Sequence, residues 1–205
     1  LSREDLARLR QHTTRVRIRA GEELVGAGMP FERVYFPEGG VLSALASVRS
    51  GRTEVGLIGA EGMAGSSLAL GVDRTPLAVV AQLEGEAVTM AAAEFCRLLD
   101  ERPALLGRVL RYHHVFGLQV TYTALANAAL TIDERLARWL LMCSDRLGDE
   151  IRMVHDFLAV MLNVRRAGIT NALHVLEGEG AIRSLRGRVL IRDRAKLLDI
   201  AGASY

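Results

Sequence analysis

The stretch that decides the fold runs from Asp156 to Arg192: Asp156-Phe-Leu-Ala-Val-Met-Leu-Asn-Val-Arg-Arg-Ala-Gly-Ile-Thr-Asn-Ala-Leu-His-Val-Leu-Glu-Gly-Glu-Gly-Ala-Ile-Arg-Ser-Leu-Arg-Gly-Arg-Val-Leu-Ile-Arg192. It predicts a short helix, a tight turn, a second helix and then a Gly-Arg hairpin. Two helices of this kind form a helix-turn-helix, whose second helix enters the major groove of DNA. The pattern therefore predicts sequence-specific DNA binding.

The second helix sorts its residues by face. Its apolar residues recur at steps of three and four, which predicts one buried side made of Ile169, Ala172, Leu173 and Leu176. Arginine can bind guanine O6 and N7 through two hydrogen bonds, and asparagine can do the same with adenine. The expected DNA-reading residues on the remaining surface are Arg165, Arg166, Thr170, Asn171 and His174. The alternative is a solvated basic helix on an ordinary helical subdomain.

A hairpin is expected to follow this helix. Gly180 ends the helix because glycine tolerates the left-handed cap conformation, and two short strands flank a turn at Arg186-Gly187. Arg186 and Arg188 at the tip would contact phosphates. Residues 151–196 contain nine basic and four acidic residues, a net charge of +5, whereas the whole chain carries +2. Binding to a polyanion explains this concentration of positive charge; the alternative is chance clustering in an arginine-rich chain.

The N-terminal half changes from helical to strand periodicity. An opening helix is predicted from Ser2 to about His12, residues 20–30 supply turns, and Ser50 marks a hairpin tip. Short strands separated by glycine-rich turns indicate a compact β barrel or jelly roll, so the fold class is α+β. Such a barrel can hold a ligand or can simply be a filled core. The predicted strands cover residues 15–19, 33–48 in two strands around Gly39-Gly40, 53–59, 77–83 and 86–90.

A long helix follows, from Pro103 to about residue 130. Six of its residues alternate four and three apart, which is the spacing of a heptad seam, and the small residues among them permit close approach of helices. We interpret it as a dimerisation helix; the alternative is a helix lying on the β domain. Thr131 and Glu134 form a capping box that begins the next helix. The seam consists of Leu106, Leu110, His113, Gly117, Val120 and Ala124.

Composition limits the class of protein. Half of the 205 residues are apolar, which is ample for a core, yet no apolar run reaches the roughly 18–20 residues that a membrane span needs. No signal peptide is visible, and the two cysteines, Cys96 and Cys143, have no metal-binding spacing and are expected to be buried thiols. We expect a cytoplasmic protein without a metal, a cofactor or a membrane partner. All five histidines lie outside the strand region, which disfavours a cupin-like enzyme.

A β-roll, a long helix and a winged helix-turn-helix, in this order, resemble the Crp/Fnr family of bacterial transcription regulators. The most specific segments are Ala20-Gly-Glu-Glu-Leu24 with Gly28, Gly59-Ala-Glu-Gly-Met-Ala-Gly65, and residues 158–173. The resemblance implies a double-stranded β-helix sensor in residues 1–102, a dimerisation helix in 103–130 and the DNA-binding domain in 131–205. It further implies a homodimer on a pseudo-palindromic operator with half-sites about 34 Å apart, RNA polymerase as a further partner, and base contacts from Arg166, Ala167 and Asn171.

The expected effector pocket departs from the family pattern. Cyclic-nucleotide binders carry a Gly-Glu pair for the ribose and an Arg-Ser/Thr-Ala segment for the phosphate, but the ribose carboxylate is missing here, and Pro76 removes a backbone N–H from the phosphate loop. We therefore predict that cAMP is not the effector, whose identity stays open. An iron–sulfur cysteine cluster and an assignable haem ligand are also missing from the sequence. The corresponding pocket residues are Gly65, Ser66, Ser67, Arg74 and Thr75.

The helix-turn-helix also departs from the family. Ala167 stands where members often place glutamate, so a cytosine contact by that carboxylate is absent. Val154 replaces the usual threonine cap of the first helix, and Gly168 costs the recognition helix roughly 1 kcal/mol relative to alanine, so the motif is expected to be less rigid than usual. Two functions remain: a dimeric transcription regulator, or a small-molecule-binding module that regulates a protein partner and retains a vestigial DNA-binding domain.

Overall fold

The computed structural model describes residues 3–48, 51–153 and 155–205. The chain divides into two compact units, Leu1–Ala46 with Gly56–Gln119, and Ser47–Val55 with Val120–Tyr205. This division into two units differs from the three expected domains, which stay a prediction: the break falls after Gln119, within the expected dimerisation helix, and residues 47–55 group with the second unit. Three predicted features, the helix start at Ser2, the hairpin tip at Ser50 and the uncapped Val154, lie outside the described residues.

The N-terminal region contains a β-roll flanked by two short helices. Its strands form a three-stranded sheet of order β1-β7-β3 and a four-stranded sheet of order β2-β6-β4-β5. This confirms the expected jelly-roll-like architecture; β2 lies in a segment predicted only as turns. The elements are α1 (Arg3–Gln11), β1 (Thr14–Ile18), β2 (Glu23–Val25), β3 (Arg33–Pro37), β4 (Val41–Val48), β5 (Gly51–Ile58), β6 (Leu77–Leu83), β7 (Gly85–Ala91) and α2 (Ala92–Glu101).

Alternation of side chains along the strands builds the core of the first unit. Ile18, Leu42, Met90 and Phe95 are almost completely buried within it. Gly40 sits at the predicted corner with a φ of 76°, and a Cβ there would lie 2.5 Å from the carbonyl oxygen of Leu83. Only glycine fits both that backbone angle and that close approach, so the corner that joins β3 to β4 depends both on its own backbone conformation and on packing against Leu83.

A helix of 27 residues, α3 (Pro103–Ala129), follows the roll. Proline suits its first turn because the N–H that proline lacks has no partner inside the helix at that position. Leu105 and Val109 are buried in the core of the first unit. The N-terminal part of α3 therefore covers the roll with one face.

The second unit contains the predicted helix-turn-helix and hairpin. Its elements are α4 (Ile132–Leu147), β8 (Glu150–Arg152), α5 (His155–Met161), α6 (Arg166–Gly178), β9 (Ile182–Leu185), β10 (Arg188–Ile191) and α7 (Arg194–Ala201). The capping box is confirmed: Thr131 N–H donates to Glu134 Oε2 at 2.7 Å, and Glu134 N–H donates to Thr131 Oγ1. Sequence periodicity missed β8, which completes a sheet of order β8-β10-β9, and α7, which packs on α4.

A buried polar cluster lies inside the second unit. Trp139 Nε1 donates a 2.9 Å hydrogen bond to Glu54 Oε1, and the Glu54 side chain comes from the β5 segment that groups with this unit. Arg138 is also buried and donates to the Ser204 carbonyl at 2.8 Å and to Thr123 Oγ1 at 3.2 Å. Burial lowers the pKa of Arg138, and the nearby carboxylate of Glu54 acts in the opposite direction. The two opposite charges therefore stabilise each other in the interior.

Two other expectations concern the chain as a whole. None of the described helices combines the length and the apolar character that a bilayer crossing requires. Cys143 is buried, as expected, and burial raises the pKa of its thiol. Cys96 is only half-buried, which corrects the expectation of two buried thiols; both are free cysteines.

Candidate nucleic-acid interface and effector cavity

The recognition helix α6 has the two faces that its spacing predicts. Ile169, Ala172, Leu173 and Leu176 are all buried. The turn before α6 contains Asn163 at a φ of 50°, a left-handed conformation that asparagine tolerates better than most residues. The tight turn and the buried face together fix the helix on its subdomain and leave its opposite side in solvent.

The predicted DNA-reading residues lie on that exposed side, with one exception. Thr170 is only half-buried, and its Oγ1 donates to the Arg166 carbonyl at 3.3 Å. Its hydroxyl hydrogen is therefore already used inside the helix, which makes Thr170 a weaker candidate for a base contact. The exposed members of the set are Arg165, Arg166, Ala167, Asn171 and His174.

Arg166 forms an ion pair that the spacing of residues along the sequence did not predict. One of its guanidinium nitrogens lies 3.0 Å from Asp156 Oδ1, and both side chains are 67% exposed. Asp156 belongs to α5, ten residues earlier, so the pair joins the two helices of the motif. Exposed ion pairs contribute little stability because water screens them. The guanidinium is thus oriented by Asp156 and still free to exchange this partner for a nucleobase.

Gly168 lies at a close contact between α6 and α4. A Cβ at this position would lie 3.2 Å from Ile132 Cδ1, tighter than ordinary van der Waals contact. Glycine therefore lets α6 approach the first turn of α4 closely. An alanine at this position would require the Ile132 side chain to shift by a few tenths of an ångström.

The wing carries its arginines beside α6. Arg186 and Arg188 are both exposed, and Gly187 between them has a φ of 76°, as a tight hairpin turn requires. The Ser184 N–H donates to Glu177 Oε1 at 3.1 Å, which ties β9 to the C-terminal end of α6. The hairpin is thereby fixed against the recognition helix, so that both can meet one duplex.

The missed strand β8 supplies a carboxylate to the wing. Glu150 Oε1 lies 3.2 Å from Arg188 and 3.5 Å from Arg152. The hydrogen bond from Arg188 is the main reason why the pKa of Glu150 is below its ordinary value. A three-residue strand is too short for alternation to reveal it, so no sequence signal could have indicated this pair.

A separate cavity lies in the β-roll unit. Its volume is about 100 Å³. Four of the five predicted pocket residues, Gly65, Ser66, Ser67 and Thr75, line it. The fifth, Arg74, is not among the lining residues; it is exposed and lies 3.4 Å from Asp73. The expected phosphate contact by Arg74 therefore has no basis in the position of this side chain.

The α3 helix also contributes to the cavity. His113, predicted as a seam residue, lines it together with Phe116, and His113 Nδ1 lies 3.0 Å from Ser66 Oγ. Leu57 N–H donates to Gln119 Oε1, which joins β5 to α3. These contacts show that the His113 face of α3 is turned toward the roll.

The rest of the predicted seam is mixed in exposure. Leu106, Leu110 and Val120 are half-buried, whereas Gly117 and Ala124 are exposed. The large exposed apolar residues of α3 form a different stripe, spaced three, four and three apart: Val115, Leu118, Tyr122 and Leu125. This stripe lies on another side of the helix from the predicted seam.

Comparison with known proteins agrees with this geometry. Residues 134–200 match the family of Crp-like helix-turn-helix domains. The chain carries a Crp-like helix-turn-helix domain. No protein with a curated description matches the sequence.

Solved structures extend the likeness beyond the Crp-like domain. The chain resembles FixK2 from Bradyrhizobium japonicum with a TM-score of 0.80 at 17% identity, over 93% of this chain and 98% of that one. It resembles the c-di-GMP-responsive global regulator CLP of Xanthomonas campestris with a TM-score of 0.73 at 18% identity, over 92% and 98%. A transcriptional regulator of the CRP/FNR family from Thermus thermophilus gives 0.72 at 21%, over 94% and 100%.

These matches establish the fold. The chain has the architecture of Crp/Fnr transcription regulators, with the Crp-like DNA-binding domain at its C-terminal end. Two of the matched proteins, CLP and the Thermus thermophilus protein, are described as regulators. Among the described residues, no group of three or more histidine, cysteine or acidic side chains is placed to hold a metal ion.

Proposed function

We propose that the protein is a homodimeric transcription regulator that binds a pseudo-palindromic operator through α6 and the wing, and that the roll cavity senses a small molecule. The observation that carries the proposal is the exposed recognition face. The side of α6 opposite its buried residues presents Arg166, Asn171 and His174, with Arg186 and Arg188 on the adjoining hairpin. Buried apolar residues fix this helix, and the wing is hydrogen-bonded to it, as groove binding requires.

Charge supports DNA as the partner. The +5 net charge of residues 151–196 lies in the domain that carries the recognition helix. Neutralisation of phosphates by arginine releases condensed counterions, which drives binding in a salt-dependent way. The alternative, a vestigial DNA-binding domain, gains no support from the exposed arginines, because a domain that regulates only a protein partner has no need of them.

Dimerisation is proposed through α3. The apolar stripe Val115, Leu118, Tyr122 and Leu125 is a better candidate face than the predicted seam, because it is both apolar and exposed. Steps of three and four residues place these side chains on one side of the helix, as pairing of two helices requires. A two-fold pair would present two copies of α6 to half-sites about one helical turn apart.

The effector and the transcriptional partner are the remaining parts of the proposal. The CLP regulator responds to c-di-GMP according to its name, but the lining of the roll cavity here favours a different ligand. RNA polymerase is proposed as a further partner because the chain resembles the Crp/Fnr family. The proposed location is the cytoplasm.

Selection of bound sequences from a random DNA pool at a fixed salt concentration tests the function. We expect an enriched motif with two-fold symmetry. Recovery of DNA without any shared motif would favour the binding-module alternative. Enrichment of a single half-site without a symmetric repeat would support sequence-specific DNA binding and contradict the proposed homodimer.

A further inference from the structure

We propose that the roll cavity binds an uncharged, largely apolar small molecule with one polar oxygen, which hydrogen-bonds to Ser67 Oγ. This deepens the sensor role proposed above and rests on it.

The lining of the cavity disfavours a charged ligand. Most of it is apolar, with the aromatic rings of Phe31 and Phe116 and the aliphatic side chains of Ile58, Leu77 and Val79. Among the described residues that line it there is no lysine, arginine, aspartate or glutamate. An anion that enters such a cavity gives up its hydration and meets no lysine or arginine there, which is costly. The ionisable side chain of the lining, His113, already pairs through Nδ1 with Ser66 Oγ at 3.0 Å. A neutral apolar molecule gains from leaving water.

Arg74 cannot supply the missing positive charge from its position. It lies outside the lining, and its guanidinium pairs with Asp73 in solvent. A cyclic nucleotide or a cyclic dinucleotide would therefore bring its phosphate into a cavity that offers hydroxyl groups but no guanidinium.

Ser67 is the residue to which the polar oxygen of the ligand would form a hydrogen bond. The residue is 8% exposed, lines the cavity, and its Oγ has no hydrogen-bond partner among the described residues. Its neighbour Ser66 is different, because Ser66 Oγ already pairs with His113 Nδ1. A buried hydroxyl without a partner is unfavourable, so a ligand oxygen that meets Ser67 supplies the hydrogen bond that this hydroxyl otherwise lacks.

The size of the cavity is consistent with this class. Its volume of about 100 Å³ is close to that of an apolar cavity of roughly 150 Å³ that holds one benzene ring. As in other small-molecule sites, a mainly apolar lining is combined with a few polar groups that orient the ligand. Toluene, benzyl alcohol and benzoate form a suitable probe series, because they share a ring and differ in carrying no polar group, one hydroxyl or one charge.

The test measures binding of these probes and of cAMP to the full chain by calorimetry, without DNA. We expect benzyl alcohol to bind about three- to tenfold more tightly than toluene, the contribution of one neutral hydrogen bond, and benzoate and cAMP to bind more weakly than both. Ser67→Ala should reduce the affinity for benzyl alcohol to that for toluene and leave toluene unchanged. Ser67→Cys, which keeps the side-chain size with a weaker donor, should fall between the two.

Two control variants complete the design. Ala44→Leu narrows the cavity at a buried lining position and should weaken both neutral probes, whereas Arg74→Ala should change neither. The proposal is overturned if cAMP or benzoate binds most tightly, if no probe binds, or if Ser67→Ala folds and leaves the preference for benzyl alcohol intact. Because DNA is absent from this assay, probe binding by a protein that selects no operator would refute only the transcriptional function.

Discussion

The substitution Arg166→Ala separates base reading from general attraction to DNA. Arg166 lies on the exposed side of α6, and its charged partner, Asp156, is as exposed as Arg166 itself. Because water screens this pair, we expect its removal to leave the free energy of unfolding almost unchanged. On DNA the loss of a bidentate contact to guanine should cost about 1–3 kcal/mol, roughly a 5- to 150-fold weaker affinity for the preferred operator.

Arg188→Ala is the matched control. Arg188 is likewise an exposed arginine in a surface ion pair, here 3.2 Å from Glu150, but it lies on the wing instead of the recognition helix. Its loss should weaken binding to all sequences by a similar factor and reduce the slope of log affinity against log salt by about one.

Fluorescence anisotropy with the selected operator, and with the other three bases at each half-site position, distinguishes the two roles. For Arg166→Ala we expect the four bases at one position to become nearly equivalent while discrimination elsewhere persists. An equal loss on every sequence would make Arg166 a phosphate contact. No loss for either variant would show that this face of the domain does not meet DNA.

Three further experiments test other parts of the structure. Thr131→Ala removes the side-chain cap of α4 and should destabilise the protein by about 1 kcal/mol in urea unfolding; an unchanged midpoint would show that the cap is replaced by water. Trp139→Phe deprives the buried Glu54 carboxylate of a donor and should cost about 1.5–3 kcal/mol in the same assay, whereas a neutral effect would contradict the importance of that bond. Leu125→Asp should dissociate the proposed dimer in sedimentation at micromolar concentration, whereas Ala124→Asp, on the predicted seam, should not; the reverse result would favour the predicted seam as the dimer face.

Local patterns in the sequence predicted much of this fold. The capping box at Thr131, the positive φ of Gly40 and the apolar face of α6 all depend on residues close together in the chain or on one element. Steric limits on the backbone and the 3.6-residue period of a helix act over such short distances, so their effects are visible in the sequence itself. The short strand β8 was not predicted, because three residues are too few to show the alternation of a strand.

The lining of the roll cavity was predicted only in part, and from the family resemblance rather than from periodicity. The sequence analysis placed Arg74 and Ser67 in one pocket, yet the structure puts Ser67 in the lining and Arg74 in solvent. The cavity is formed by β-strands and by α3, whose residues lie dozens of positions apart, and only their packing decides which side chains share it. The pairing of Arg166 with Asp156 follows the same rule, since the turn between α5 and α6 sets the distance between them. Periodicity in the sequence thus determined which faces are buried, and tertiary packing determined which polar groups meet, because a hydrogen bond or an ion pair depends on distance in space rather than on separation along the chain.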